Sequence, residues 1–292
     1  MRLAIEILIT IVALALLTLV IASATAWLWV IAMLSAAIVY GVLSPVVAAR
    51  RLYFLAASAP HSALFAVALG IPLSRVVGLL DEFLWAVVLG LALLYTVGYL
   101  IHRGIDPDTA TSIFIAFTAS GSVLALYYVL TTYSIEYNVW AIIVGDPLLI
   151  SWKEAMYSIV IAILILCGII VSYRENICLG VDRDFVKLAG VNTKIYDVIL
   201  FTFLAVATVA LIRYIGFVLE HILILLPASI AMNATDSACK SLTLSVSISI
   251  VASLIGLYAA VQFNIAPAGA VGLVMMIIYM LSIVISRMRR HG

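Results

Sequence analysis

Long runs of apolar residues follow one another along almost the whole chain, and only short polar connections separate them. An α-helix needs about 20 mostly apolar residues to cross the hydrocarbon core of a membrane. On this basis we predict helices at about 3–21, 27–49, 53–70, 82–101, 109–131, 154–173, 194–213, 216–232, 243–263 and 267–286. Only 10% of the 292 residues are charged, whereas soluble domains contain about 25%. The sequence therefore predicts an all-α polytopic membrane protein with about 8–10 transmembrane helices.

Two neighbouring runs, the seventh and the eighth, are too close together for an ordinary helical hairpin. Only Tyr214 and Ile215 separate them. Gly216 and Pro227 follow, and both residue types interrupt regular helices. We therefore predict a broken or re-entrant helix in this region, in which Gly216 and Pro227 have structural roles.

The basic residues fall mainly on one side of this arrangement. If the segment 174–194 is cytoplasmic, most basic residues are cytoplasmic, and the reversed orientation places most of them outside. Because cytoplasmic loops carry an excess of Lys and Arg, we predict that this segment and the C-terminus are cytoplasmic. The cytoplasmic set is Arg50, Arg51, Arg103, Arg174, Arg183, Lys187, Lys194, Lys240, Arg287, Arg289 and Arg290, and the outer set is Arg75, Lys153 and Arg213.

The same orientation places several carboxylates at or near the outer face. Such a cluster at an entrance would concentrate cations, although charged loop residues also serve simply to keep loops in water. The carboxylates are Asp81, Glu82, Glu136, Asp146 and Glu154.

The first 26 residues allow two interpretations. Arg2, the apolar run and the sequence Ala22-Ser23-Ala24 resemble a signal peptide with its cleavage site. The apolar run is longer than the usual core of a signal peptide, so we interpret residues 1–26 as an extra N-terminal transmembrane helix. Residues 27–292 then form the main domain.

Several function classes lack support in the sequence. No Walker A motif, H-E-x-x-H zinc-protease motif or G-x-S-x-G nucleophile motif occurs. The three cysteines are far apart in sequence and predict neither a disulfide framework nor a zinc knot. A net charge of +1 predicts no nucleic-acid partner. A transporter driven by an ion gradient or by a partner subunit remains the simplest hypothesis.

The segment at about 182–190 has the features of a short amphipathic helix between two spans. Acidic residues at its start suit the N-cap and the helix dipole, and a glycine suits its end. Three apolar residues share one face at i, i+3, i+4 spacing. Such a helix either lies on the lipid surface or fits a groove in a partner. The residues are Asp182, Asp184, Phe185, Leu188, Ala189 and Gly190.

This segment, continued by Asn192-Thr193-Lys194-Ile195-Tyr196-Asp197, resembles the cytoplasmic loop of the membrane subunits of zinc, manganese and iron ABC importers. Four further stretches agree with that family in order and spacing. They are similar to its Arg-Arg and Gly-Asp-x-x-x-His-Ala, its Asp-Thr-Ala, its Gly-x10-Pro-Ala and its Pro-x-Gly elements. Here they are Arg50-Arg51-Leu52 through His61-Ser62-Ala63, Asp108-Thr109-Ala110, Gly216 through Pro227-Ala228, and Pro267-Ala268-Gly269. The resemblance covers about residues 27–286.

The resemblance implies a cell-membrane permease with the type II ABC importer fold, which vitamin B12 and siderophore importers share. It implies a homodimer that binds a cytoplasmic ABC ATPase at each docking helix, the segment at 182–190. An extracellular metal-binding lipoprotein or periplasmic protein would deliver the divalent metal. ATP would be bound by the partner subunit, so the permease itself is expected to need no cofactor and to be no enzyme.

His61 is the candidate metal ligand that the resemblance supports. Pro60 precedes it in the middle of the third apolar run, which makes that run a doubtful span. Neutral imidazole binds zinc, manganese and iron, and ionisable groups inside a membrane usually have a function. The family carries an aspartate four residues before this histidine, but the present chain has Ala57 there. The family's pairing of carboxylate and imidazole is therefore missing.

Glu220 and His221 stand where the family pattern has apolar or small residues. We therefore predict that the acidic ligand has moved, and that His61, Glu220 and His221 face the translocation route and bind the passing cation together. In a simpler interpretation, Glu220 is held by Arg213 or by a hydroxyl group and only stabilises the broken helix.

Three rival functions stay open on sequence grounds. A siderophore or cobalamin importer has the same fold. An intramembrane enzyme would use His61, Glu220 and His221 as its catalytic groups. An ion-coupled carrier would need no ATPase.

Overall fold

The computed structural model of the protein describes residues 2–133, 145 and 147–291, and these residues are almost entirely helical. Eight of the helices, α2 to α6 and α8 to α10, are long and apolar enough to cross a membrane. The described residues contain no β-strand, which confirms the all-α polytopic class. The helices are α1 (Arg2–Ala24), α2 (Trp27–Ala49), α3 (Tyr53–Val77), α4 (Glu82–His102), α5 (Pro107–Thr132), α6 (Trp152–Val181), α7 (Arg183–Leu188), α8 (Thr193–Ala234), α9 (Ala238–Phe263) and α10 (Pro267–His291), with a 3₁₀ turn at Pro147–Leu149.

Side-chain caps fix where several helices begin. The Asp81 carboxylate accepts a 2.7 Å hydrogen bond from the backbone nitrogen of Leu84 and starts α4. Ser151 and Glu154 form a reciprocal capping box at the start of α6. α6 then continues to Val181, beyond the predicted end near residue 173. α1 is a single helix that packs against α9 and α2.

α3 is one continuous helix although it contains Pro60 and Pro72. Proline removes a backbone donor and frees the carbonyl four residues before it, and such interruptions are tolerated in membrane helices. The helix continues through both prolines, and the Ser58 and Ser62 hydroxyls beside Pro60 donate hydrogen bonds of 2.6 and 2.7 Å to the Leu55 and Ala59 carbonyls. The doubtful third span is therefore a helix of 25 residues, long enough to cross a membrane.

The helix bundle has two ends, which we name after residues that mark them. At the Arg50 end, the Arg50 guanidinium at the end of α2 binds Asp197 near the start of α8. At the Glu82 end, the first residue of α4 lies 3.5 Å from the Arg213 guanidinium. The Arg75 guanidinium, near the end of α3, lies over the Tyr133 ring, which follows α5. α2, α4 and α6 therefore run from the Glu82 end to the Arg50 end, and α3 and α5 run back.

α8 begins and ends at the Arg50 end. It contains 42 residues, which in a straight helix would extend about 63 Å at about 1.5 Å per residue. Yet Asp197, near its start, binds Arg50, and Thr235, just past its last residue, lines a cavity together with Ala49. The chain therefore reverses direction inside α8, and the predicted broken helix is confirmed. We name its two halves α8a (193–215) and α8b (217–234).

The reversal takes place at Gly216, which has φ 77° and ψ 160°. This backbone region is open essentially to glycine alone. Gly145 packs directly against the break, because a Cβ atom on Gly145 would lie 2.0 Å from the Ile215 carbonyl oxygen. Pro227 lies within α8b, and the next residue, Ala228, donates its backbone N–H to Ser44 of α2 at 3.0 Å.

α2 occupies the centre of the bundle. It is buried along most of its length and packs against α6, α8 and α9. Its contact with α9 is close at Gly41, where an added Cβ would lie 2.9 Å from the Val246 Cα. Small residues allow this kind of close helix packing in membranes. α2 is thus positioned to hold side chains against both halves of α8.

Candidate metal site and docking helix

Two histidines from different helices lie next to each other inside the bundle. His61 belongs to α3 and His221 to α8b, and their ring centroids are 5.4 Å apart. Phe217, one turn before His221, packs edge-on against the His61 ring at 4.7 Å and the His221 ring at 4.5 Å. Both histidines are partly buried. The structure therefore brings together two of the three predicted metal ligands.

The ring nitrogens of His221 both lie at hydrogen-bond distance from backbone carbonyl oxygens. Nδ1 is 2.9 Å from the Phe217 oxygen, and Nε2 is 3.0 Å from the Ala57 oxygen in α3. A neutral imidazole can donate from only one of its nitrogens, and its other nitrogen offers a lone pair. His221 joins α8b to α3 in this conformation, and it must leave at least one carbonyl before it can ligate a metal ion.

Glu220 precedes His221 in α8b but meets a different neighbour, because successive helix residues point about 100° apart. Its side chain is fully buried. Oε1 accepts a 2.7 Å hydrogen bond from the Tyr40 hydroxyl of α2, whereas Oε2 has no hydrogen-bond partner. A buried carboxylate with an unpartnered oxygen is energetically costly, so Oε2 is placed to bind a proton or a cation.

The simpler interpretation of Glu220 named two possible partners, Arg213 and a hydroxyl group. Arg213 lies at the Glu82 end, where its guanidinium is 3.5 Å from Oε2 of Glu82. The hydrogen bond to Glu220 comes from Tyr40. The structure therefore supports the hydroxyl alternative.

His61, Glu220 and His221 do not form one ligand set in this conformation. Within the described ranges, no three His, Cys, Asp or Glu side chains converge as ligands of a single metal ion. The two histidines are in contact, but the carboxylate faces Tyr40. A change of side-chain rotamer or of helix position would be needed to bring Glu220 to the histidines.

A cavity of about 490 Å³ lies at the Glu82 end beside the break in α8. Two carboxylates from the predicted acidic cluster, Asp81 and Glu154, line it together with Lys153 and Arg213. The charges balance, so this cavity is polar rather than acidic. The remaining members of the predicted cluster behave differently. Glu82 pairs with Arg213, and two others lie outside the described residues, Glu136 and Asp146.

Tyr214 lines the wall of this cavity next to the break. Its hydroxyl faces Ser158, whose own hydroxyl donates to the Ala155 carbonyl at 2.8 Å. The Tyr214 hydroxyl is buried. Tyr214 is therefore close both to the cavity and to the buried Glu220 carboxylate.

The predicted short helix is present as α7 at the Arg50 end. Asp182 caps it by accepting a 2.9 Å hydrogen bond from the backbone nitrogen of Phe185. Asp184 in its first turn forms a 3.0 Å ion pair with Lys187. Gly190, just past the C-cap residue, has φ 82°, the left-handed conformation that glycine supplies at helix ends.

The apolar face of α7 is uncovered. Phe185 is 69% exposed and Leu188 is 88% exposed, and Ala189 is also exposed. Val186 is the buried residue of this helix. The exposed face of α7 therefore consists of an aromatic ring, a leucine and an alanine.

The structure also contains a charged cluster that the sequence analysis did not single out. Asp197 binds Arg50 through one carboxylate oxygen and Arg183 through the other. Arg50 also donates to the Asn176 side chain at 3.2 Å. The sequence does contain an indication of this cluster. Asp197 lies one turn inside a predicted span, and an ionisable residue there needs a partner.

Comparison with known proteins agrees with this architecture. The sequence profile of the ABC 3 transport family matches residues 23–286. The manganese transport system membrane protein MntC of Listeria monocytogenes is 26% identical over 254 residues, which are 86% of this chain and 87% of that protein. The manganese import system permease protein ScaB of Streptococcus parasanguinis is 25% identical over 264 residues, which are 90% of this chain and 91% of that protein.

A solved structure has the same fold. PsaBC from Streptococcus pneumoniae, determined in complex with Fab, superposes with a TM-score of 0.75 at 22% sequence identity. The superposition covers 87% of this chain and 89% of that chain. The family profile covers the broken helix, the histidine pair and α7, and the chain belongs to the ABC 3 transport family.

Proposed function

We propose that this protein is the transmembrane subunit of an ABC importer that moves a divalent transition-metal ion, zinc, manganese or iron, across the cell membrane. Transport would proceed by alternating access, driven by ATP hydrolysis on a separate ATPase subunit. The chain has no Walker A motif of its own, which supports a transport subunit that is not itself an enzyme and holds no cofactor. The names of the MntC and ScaB relatives support a metal as the cargo.

The observation that carries the proposal is the contact of His61 with His221 beside the break in α8. Imidazole nitrogens are ligands for zinc and iron, and carboxylate oxygens suit manganese. A site built from both would accept several of these ions. Because an importer must also release its cargo, a site that assembles only transiently suits transport better than a permanent one.

The position of His221 supports a relocated site. Its Nε2 atom lies 3.0 Å from the backbone oxygen of Ala57, the residue that replaces the aspartate of the family pattern. His221 thus reaches the turn of α3 from which that aspartate would project. Glu220 supplies the negative charge that Ala57 lacks, and its Oε2 atom has no hydrogen bond. We infer that His61, His221 and Glu220 bind the cation in turn as it passes.

The uncovered face of α7 supports docking of the ATPase. Phe185 and Leu188 are exposed at the Arg50 end, and the excess of basic residues supports a cytoplasmic location for this end. The Glu82 end would then face outside, where an extracellular metal-binding lipoprotein or periplasmic protein would deliver the ion.

We also propose a homodimer. One chain offers one docking helix, whereas ATP hydrolysis in this class of transporter needs two ATPase subunits that hold nucleotide between them. A two-fold dimer is the simplest closed assembly that presents two docking helices.

The test is ATP-dependent metal uptake into proteoliposomes that contain this chain and its ATPase. We expect uptake of zinc, manganese or ferrous iron, and a loss of at least about ten-fold in His61→Ala, His221→Ala and Glu220→Gln. Ser229→Ala is the matched control, because the Ser229 hydroxyl bonds only within its own helix, to the Leu225 carbonyl. The control should transport normally.

Other outcomes would contradict the proposal in distinguishable ways. Uptake of a siderophore or cobalamin in place of the free ion would assign the chain to the organic-chelate importers. Metal uptake that needs an ion gradient and no ATPase would make it a coupled carrier. Undiminished uptake in all three variants would remove these residues from the route.

A further inference from the structure

A single carboxylate at the Arg50 end connects three elements. Asp197, near the start of α8a, binds Arg183 of α7 through one oxygen and Arg50 at the end of α2 through the other. Arg50 in addition donates to Asn176 of α6 at 3.2 Å. The short helix α7 is therefore tied by charge to the two central elements of the bundle.

The two ion pairs of Asp197 differ in burial. The Arg50 side chain is 4% exposed and that of Asp197 is 11% exposed, whereas the Arg183 side chain is 39% exposed. Removing either Arg50 or Asp197 would leave a buried charge without its partner and would destabilise the fold. Loss of Arg183 should affect stability much less, because Asp197 would keep its buried partner Arg50. The Arg183 ion pair can therefore serve transport without being essential to the fold.

The contacts of α2 continue from this cluster toward Glu220. Tyr40 donates a 2.7 Å hydrogen bond to the Glu220 carboxylate, and the Ser44 hydroxyl accepts the Ala228 backbone N–H at 3.0 Å. α2 therefore holds α8b at two points, and Asp197 itself belongs to α8a. Both halves of the broken helix are linked to the Asp197 cluster.

The attachment of α7 to the bundle is otherwise slight. α7 has six residues, and Val186 is the buried one. Its apolar residues Phe185 and Leu188 point away from the protein. Among the residues that the structure describes, the links between α7 and the spans are its covalent connections, the Val186 contact and the Arg183 ion pair.

We propose that Asp197 is a positioning residue for transport. Through Arg183 it passes the displacement of α7, produced when docked ATPase subunits close on ATP, to α2 and α8 and so to Glu220. The proposal rests on the proposed function, because it requires an ATPase at α7. In this proposal, Arg183 couples ATP hydrolysis to movement of the broken helix. The buried pair of Arg50 and Asp197 holds α2 and α8 together, so that the movement is transmitted to both.

The test separates ATP hydrolysis from transport in the complete complex of permease and ATPase. In Arg183→Gln, we expect the ATPase to co-purify and to hydrolyse ATP at close to the wild-type rate. Metal taken up per ATP hydrolysed should fall at least about five-fold, the lower range of typical coupling between sites. Arg183→Lys keeps the charge and should restore much of the lost coupling.

Lys194→Gln is the matched control. Lys194 is an exposed cation three residues before Asp197, and its backbone nitrogen, not its ammonium, makes the contact seen here, with Asn192. It should change neither hydrolysis nor uptake.

Three results would overturn the proposal. They are an unchanged uptake per ATP in Arg183→Gln, an equal fall of hydrolysis and uptake, and loss of the ATPase from the purified variant. Failure of the proposed function would look different, because the wild-type chain would then bind no ATPase or take up no metal.

Discussion

The Tyr40 hydroxyl donates a 2.7 Å hydrogen bond to Oε1 of Glu220, and neither side chain has solvent-exposed surface. The contact joins the centre of α2 to the start of α8b, immediately after the break at Gly216. Oε2 of the same carboxylate makes no hydrogen bond. The contact with Tyr40 thus holds an acidic side chain inside the bundle and leaves one of its oxygens available.

Tyr40→Phe should destabilise the protein. It removes a buried hydrogen bond to a carboxylate, and such bonds contribute about 1.5–3 kcal/mol. We expect a lower apparent melting temperature in detergent. Tyr258→Phe is the control, because the Tyr258 side chain is exposed, and it should leave the melting temperature nearly unchanged. Equal melting temperatures for the two variants would show that the Tyr40 bond does not stabilise the fold.

Gly216→Ala should also be destabilising. An alanine at φ 77° and ψ 160° is strained by about 1–3 kcal/mol, so α8 can no longer reverse freely at this position. The unfolding midpoint in denaturant measures the effect. Gly269→Ala serves for comparison, since a Cβ there would meet nothing within 4 Å and its φ is not positive. A Gly216 variant as stable as the Gly269 variant would contradict a conformational role for Gly216.

Gly145→Ala tests the close approach to the break. Its Cβ would overlap the Ile215 carbonyl oxygen at 2.0 Å, so α8 or the connection must shift. Gly104→Ala is the matched control, because Gly104 also has positive φ, 90°, but open space around it. We expect Gly145→Ala to reduce metal uptake and stability more than Gly104→Ala does. If the two variants behave alike, backbone strain and not the contact explains the loss.

Phe185→Asp and Gly190→Val should release the ATPase. The first places a charge on the exposed apolar face of α7, and the second forces a β-branched residue into the left-handed conformation that ends the helix. Pull-down of the ATPase with the tagged permease measures docking. Val181→Asp adds the same charge at an exposed residue just before α7 and should retain the ATPase. Normal docking by both α7 variants would show that the ATPase binds elsewhere.

The fold was largely predictable from sequence because it rests on composition. Apolar runs of sufficient length have few alternatives to transmembrane helices, and the short spacing before Gly216 indicated the broken helix. The short helix α7 was predictable for a similar reason, since Asp182 and Gly190 are local signals for its start and its end. These features depend on residues that are near each other in the chain.

The arrangement of the candidate site was only partly predictable, because it depends on how helices rotate about their axes. The sequence placed Glu220 and His221 on one helix with His61 nearby, but neighbouring residues in a helix point in different directions. His221 meets α3, whereas Glu220 meets Tyr40, which is 180 residues away in sequence. The Asp197 cluster likewise joins residues from four elements. The sequence indicates that Asp197 needs a partner, but not which residues supply it.

The reversal inside α8 also determines whether the chain crosses the membrane an even or an odd number of times. From α2 to α10, the eight helices long enough to cross a membrane, one of which crosses twice, give an odd number of crossings. Tyr133 and Gly145 both lie at the Glu82 end. Trp29 near the start of α2 donates to the Leu148 carbonyl at the Glu82 end, and Asn233 at the end of α8 donates to Ser282 of α10. α2 therefore starts on one face of the membrane and α10 ends on the other. A chain that passed straight through Gly216 would place both on the same face, so one backbone conformation decides on which side the basic tail emerges.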